Sequence, residues 1–151
     1  MAVAKRLGIE YSDPFRPLSE GLKRALRKSD ALHAEGQNEP ALAVLVNLLD
    51  VGALLTEPVI GQALCYGRMG ALALPLNRAV DAWRWTTRAQ ELCHRLGDAD
   101  GCLHYIANLH SIARATGARE DALAVAKMAA THINEHGPTR LLPRWLASGT
   151  G

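Results

Sequence analysis

Six segments of this chain carry apolar residues at helical spacing, and a glycine, a proline or a capping residue stands at nearly every joint between them. Ser19 has the character of an N-cap, and Leu22, Ala25, Leu26, Ser29 and Leu32 follow it at intervals of three and four until Gly36. Pro40 opens a second segment through Leu42, Leu45, Leu48 and Leu49 to about Gly52, since proline is tolerated in a first helical turn. Pro58 opens a third, through Leu64 and Met69 to about Ala73, where Pro75 breaks it. Arg78 to Leu96 forms a long fourth helix ended by Gly97. Asp98 or Asp100 caps a fifth that stops at Gly117, and Glu120 to Glu135 forms a sixth, stopped by Gly137-Pro138. No segment has the alternation of a strand. The pattern predicts an all-α chain of six helices joined by short turns, which is the pattern of stacked hairpins.

Composition fits this reading. Alanine and leucine dominate, while aromatic residues are only 5% of the 151-residue chain, which favours helix over sheet. The formal charge of +2, with acids interspersed among the arginines, lacks the concentrated basic face of a nucleic-acid binder. Three cysteines, Cys65, Cys93 and Cys102, make no disulfide framework and fit a reducing, cytoplasmic setting. The N-terminus has no apolar signal region. The most apolar stretch, 41–55, is broken by Asn47, Asp50 and Gly52 and falls short of the about 20 residues that span a bilayer. Neither a membrane nor a nucleic acid is an expected partner.

Three registers repeat along the helices. The first has Ala25, Lys28-Ser29 and Leu32, then Ala41 and Leu45. The second has Ala63, Tyr66-Gly67 and Gly70, then Ala79 and Trp83. The third has Ile106, Leu109-His110 and Ala113, then Ala122 and Ala126. In each, the first position precedes the alanine by 16 residues. Small residues on both helices are what a close crossing demands. On these residues the chain resembles the tetratricopeptide-repeat (TPR) family over residues 19–136. The alanines Ala41, Ala79 and Ala122 are 38 and 43 residues apart, longer than the about 34 of the standard repeat and overlapping the HEAT and armadillo range. The resemblance implies a short α-solenoid of about three antiparallel hairpins over residues 18–137, with an N-terminal arm (1–17) and a short capping helix and tail (138–151) in which Leu141, Leu142 and Trp145 cover the last hairpin.

In the TPR family the first helix of each hairpin lines a concave groove. The resemblance places Lys23, Arg27 and Asp30, then Arg68, then His104, Asn108, Ser111 and Arg114 along that groove. Lysine, arginine and asparagine there imply a protein or peptide partner with acidic residues or a free C-terminal carboxylate. The alternative is that these are solvated residues of helices that must face water somewhere.

Other chemistry is weakly represented. Cys93-His94, Cys102, His104 and His110 do not have the three- or four-residue spacing that would gather metal ligands on one helical face, so no metal or other cofactor is expected. No phosphate loop or nucleophile motif appears, and no catalytic residue is assigned. A Cys–His enzyme ranks third, behind a scaffold and behind a regulatory domain that binds its own copy.

Two surfaces look too apolar for a lone array. The second helix carries Ala43, Val44, Val46 and Val51 opposite its leucines, and either the arm, with Ile9, Tyr11 and Phe15, or a second subunit covers it. Trp83 and Trp85 point about 200° apart on one helix. Trp83 occupies the motif's inward position, which sends Trp85 outward with Arg88 in reach of its ring, as a candidate interface.

Overall fold

The computed structural model describes residues 16–137. Among them there is no strand, and six α-helices follow one another: α1 (Glu20–Ala34), α2 (Asn38–Asp50), α3 (Val59–Ala73), α4 (Ala79–Leu96), α5 (Ala99–Ala115) and α6 (Arg119–His136). Short 3-10 turns, Ala53–Thr56 and Leu74–Leu76, lie between α2 and α3 and between α3 and α4. Each helix packs against its neighbours in sequence. The expected arm lies outside the described residues except for its last two, and the expected capping helix lies wholly outside them.

The ends of the helices follow from local chemistry. Ser19 caps α1, its hydroxyl accepting from the Leu22 amide at 3.1 Å. The same hydroxyl donates to Glu57, whose carboxylate also accepts the Ser19 amide, so the start of α1 is tied to the entry of α3. Asp98 caps α5 through the Gly101 amide at 2.9 Å. Gly36, Asn77 and Gly117 turn the chain from α1 to α2, from α3 to α4 and from α5 to α6. All three have left-handed backbone, at φ of 78°, 60° and 72°.

The odd-numbered helices also meet one another. Arg68 of α3 pairs with Asp30 of α1. A Cβ at Gly61 would lie 2.7 Å from Leu18 and 3.0 Å from Leu22, and one at Gly67 would lie 2.6 Å from Cζ of Tyr105 in α5. Surrounded in this way, α3 is buried at Gly61, Ala63, Cys65, Gly67, Met69, Gly70, Leu72 and Ala73. That accounts for its composition: Val59–Leu76 is apolar and long enough to cross a membrane by length and hydropathy alone.

Within the hairpins, the close crossings define a register. The Ser29 hydroxyl of α1 donates to the Ala41 carbonyl of α2 at 2.8 Å, both residues being buried. A Cβ at Gly70 of α3 would lie 3.2 Å from both the Ala82 oxygen and the Thr86 nitrogen of α4. Residues 12 apart therefore meet in both hairpins, and His110 with Ala122 has the same spacing in the third. This corrects the middle register. Ala82, which is fully buried, takes the place assigned to Ala79, and Gly70 the place assigned to Gly67. Gly67 is small because Tyr105 packs on it, a contact between hairpins. The alanines of the corrected register, Ala41, Ala82 and Ala122, stand 41 and 40 residues apart, as do Gly36, Asn77 and Gly117.

The three-residue slip also reverses the two indoles. With Ala82 inward, the inner stripe of α4 runs through Ala82, Trp85, Thr86, Ala89, Leu92 and Cys93. Trp85 is buried at 8% exposure, in a cluster with Leu42, Leu45 and Met69, and Trp83 is the half-buried one on the flank. A second cluster gathers Ala63, Leu103, Ile106, Val125 and Ala129 across α3, α5 and α6. Trp83 and Tyr66 pack against both clusters.

Candidate functional site

The polar residues expected along the first helices of the hairpins are only partly brought together. Arg68 is joined to Asp30, and Lys23 lies 3.4 Å from Glu20 one turn away, so two of the expected cations already have carboxylate partners. Arg27 and Arg114 are exposed. His104 is exposed and sits edge-on to Tyr105, with ring centroids 5.0 Å apart. Asn108 and Ser111 do share a site: with Gly70 and Thr86 they line a hollow of about 150 Å³ beside Pro75 and Ile112. The Ser111 hydroxyl donates to the Ala107 carbonyl of its own helix, which leaves Asn108 as the freer polar group.

A larger feature lies elsewhere. An open trough of about 630 Å³ runs along α4, with Tyr66 of α3 and Leu49 of α2 contributing to its walls. Val80, Trp83 and Thr87 fall on one stripe of α4 at spacings of three and four, and Glu91 continues it. Val80 is 73% exposed, high for an apolar side chain. Trp83 and Tyr66, the two aromatics that touch both core clusters, are half-exposed here, so the trough opens where the two clusters meet.

Two arginines, Arg84 and Arg88, flank the same stretch. Arg88 lies 3.6 Å from Glu91, and among the described residues Arg84 has no carboxylate within ion-pair distance. Between them, the Thr87 hydroxyl is shielded from solvent and makes no hydrogen bond. Of the expected interface pair, Trp85 borders the trough but is only 8% exposed, and the guanidinium over its ring is that of Arg78, 5.5 Å from the centroid, in place of Arg88. Arg78 starts the helix two turns before Trp85, on the same face, and is held there by Asp81 at 2.9 Å.

The sequence signal for the trough was the apolar arc of α4. Trp83 stands beside the inner stripe, and Val80 lies further round on the outer side of the helix, so the two leave an apolar surface that the crossings of α4 do not use. Tyr66 and Leu49 could not be assigned to it, because they join it only through tertiary packing.

The cysteines have a different character. All three are buried thiols. Burial pushes Cys65 up to about 12, with Glu57 adding to the effect and Arg68 opposing it. Burial likewise takes Cys93 to about 12, with Asp98 and Cys102 contributing. Cys102 is raised by burial too, opposed by the Gln90 amide that donates to its sulfur at 3.1 Å. A thiol in that state is a poor nucleophile at neutral pH. Cys102 does border a shallow hollow with His94, His132 and His136, but the His132 Nε2 proton is donated to the Ala99 carbonyl at 2.8 Å. Among the described residues no three His, Cys, Asp or Glu side chains are grouped as metal ligands would be.

No protein-family model, no curated protein and no solved structure matches this chain.

Proposed function

We propose that the protein is a non-enzymatic scaffold or adaptor, a short TPR-like solenoid of three helical hairpins that holds a peptide or helix of another protein. The corrected 41- and 40-residue interval between equivalent crossings supports the repeat reading. The observation that carries the functional reading is the trough along α4. It is long, open and apolar, with aromatic walls and arginines on its rim, a composition that suits side chains of a linear segment. The three protonated thiols supply no activated nucleophile, which favours binding over catalysis. The same cysteines, all free, fit a cytoplasmic setting.

This reading moves the binding surface. The face formed by Lys23, Arg27, Arg68, His104, Asn108, Ser111 and Arg114 is weakened as an anion site because Glu20 and Asp30 already answer two of its cations. The second reading is self-association, favoured by the exposure of Val80.

Panning a display library of random peptides of about 12 residues against the protein tests the first reading. Selected peptides should bind wild type and lose about tenfold or more in affinity to Trp83→Ala, with the fold intact by circular dichroism. Peptides indifferent to Trp83→Ala would refute the trough as the binding surface. A mass of two chains by light scattering, returned to one by Val80→Glu, would favour self-association.

A further inference from the structure

Resting on the trough as the binding surface, we infer that its partner is a helix bearing a carboxylate beside its apolar stripe, seated against Arg84 and Arg88. The apolar stripe is the first ground: Val80, 73% exposed, and the half-buried Trp83 stand three residues apart along the trough.

Charge is the second ground. Arg84 and Arg88 are one turn apart on α4, and both line the trough. Glu91 draws on Arg88 from the far end, and among the described residues Arg84 has no carboxylate within ion-pair distance. A carboxylate, an acceptor with several lone pairs, can take two N–H groups of a guanidinium, and a neutral amide cannot replace its charge.

The form of the partner follows from the trough's shape. From Val80 to Glu91 it follows three turns of α4, roughly 17 Å, the length of about 11 residues of helix. Strand addition needs an exposed sheet edge, and the described residues contain no sheet. An amphipathic helix can place residues at i, i+3 and i+7 along Val80, Trp83 and Tyr66 while an acid on its flank meets the arginines.

The test uses peptides selected on wild-type protein, each synthesised with its acids and again with Glu→Gln and Asp→Asn changes. Binding is read by fluorescence anisotropy at about 0.05 M and about 0.5 M salt. The acidic peptides should be helical when bound, bind about tenfold more tightly than their amide twins, and weaken with salt. Arg84→Ala combined with Arg88→Ala should abolish the difference between twins. Twins of equal affinity that still require Trp83 would overturn the acid assignment while leaving the trough in place. Selected proline-rich peptides that bind in extended form would overturn the helix. Peptides that ignore Trp83 altogether would remove the trough reading on which this one rests.

Discussion

The hydroxyl of Ser29 donates to the carbonyl of Ala41 at 2.8 Å, with both residues closed off from solvent, and so fixes how α1 crosses α2. The contact needs a residue no larger than serine on one helix and alanine on the other. Ser29→Ala should cost about 1 kcal/mol, the net worth of one hydrogen bond. Ser29→Val should cost more, about 1–3 kcal/mol, since the added methyl has no space. Urea midpoints at unchanged slope would measure both. A Val variant as stable as wild type would mean the helices do not cross here.

Gly67 tests the contact between α3 and α5. Its Cβ would meet the Tyr105 ring, a rigid group that cannot bend away as an aliphatic chain end can. Gly67→Ala should destabilise by about 1–3 kcal/mol, despite the usual gain from alanine within a helix. Combined with Tyr105→Ala it should be much less harmful, giving a coupling above about 0.5 kcal/mol in a double-mutant cycle. Additive effects would contradict the packing.

Trp85 and Trp83 should separate stability from binding. Trp85→Ala removes a side chain that is only 8% exposed and should cost about 3–5 kcal/mol, with no change in molecular mass. Trp83→Ala, on the half-exposed flank, should cost clearly less. A Trp85→Ala variant of wild-type stability but altered mass would restore the outward interface role.

How much of this was legible before the structure depended on the kind of signal. The six helices were, because Ser19 and Asp98 start a helix with a side-chain cap, and Pro58, Gly97 and Gly117 start or stop one by their backbone conformation. The middle register was not. Gly67 and Gly70 are one turn apart, as are Ala79 and Ala82, so the small-residue pattern fits both settings. Tertiary contacts decide it: Gly70 meets Ala82 and Thr86 of α4, and Gly67 meets Tyr105 of α5. The expected cations were similarly ambiguous, because the Arg68–Asp30 pair joins residues 38 apart in sequence. The trough draws on α2, α3 and α4 together, and no single segment announces it.

His110 gives the chain a defined acid response. It is 2% exposed, and burial, with Arg114 adding to it, holds its imidazole below the ordinary 6.5. The folded protein therefore resists a proton that the unfolded chain accepts. His110 thus leaves stability unaffected well above pH 6.5 and lowers it as pH falls through that value toward the folded group's own lower pKa. Denaturation midpoints should drop between about pH 7.5 and about pH 5.5, and His110→Asn should flatten part of that drop. An identical slope in the variant would assign the response to other groups.

The uneven burial of the helices orders the lifetimes of their amide protons. In α3 eight of fifteen residues are buried, and it is held by α1, α4 and α5; in α6 only three of eighteen are, with Leu123 and Met128 exposed. A helix clamped on several sides can release its amides to solvent only when much of the molecule opens, whereas one held on a single side can detach alone. Deuterium should therefore enter α6 well before α3, with α6 opening while α3 stays closed. Ligand held in the α4 trough would then slow exchange in α3 and α4 while α6 continues to open.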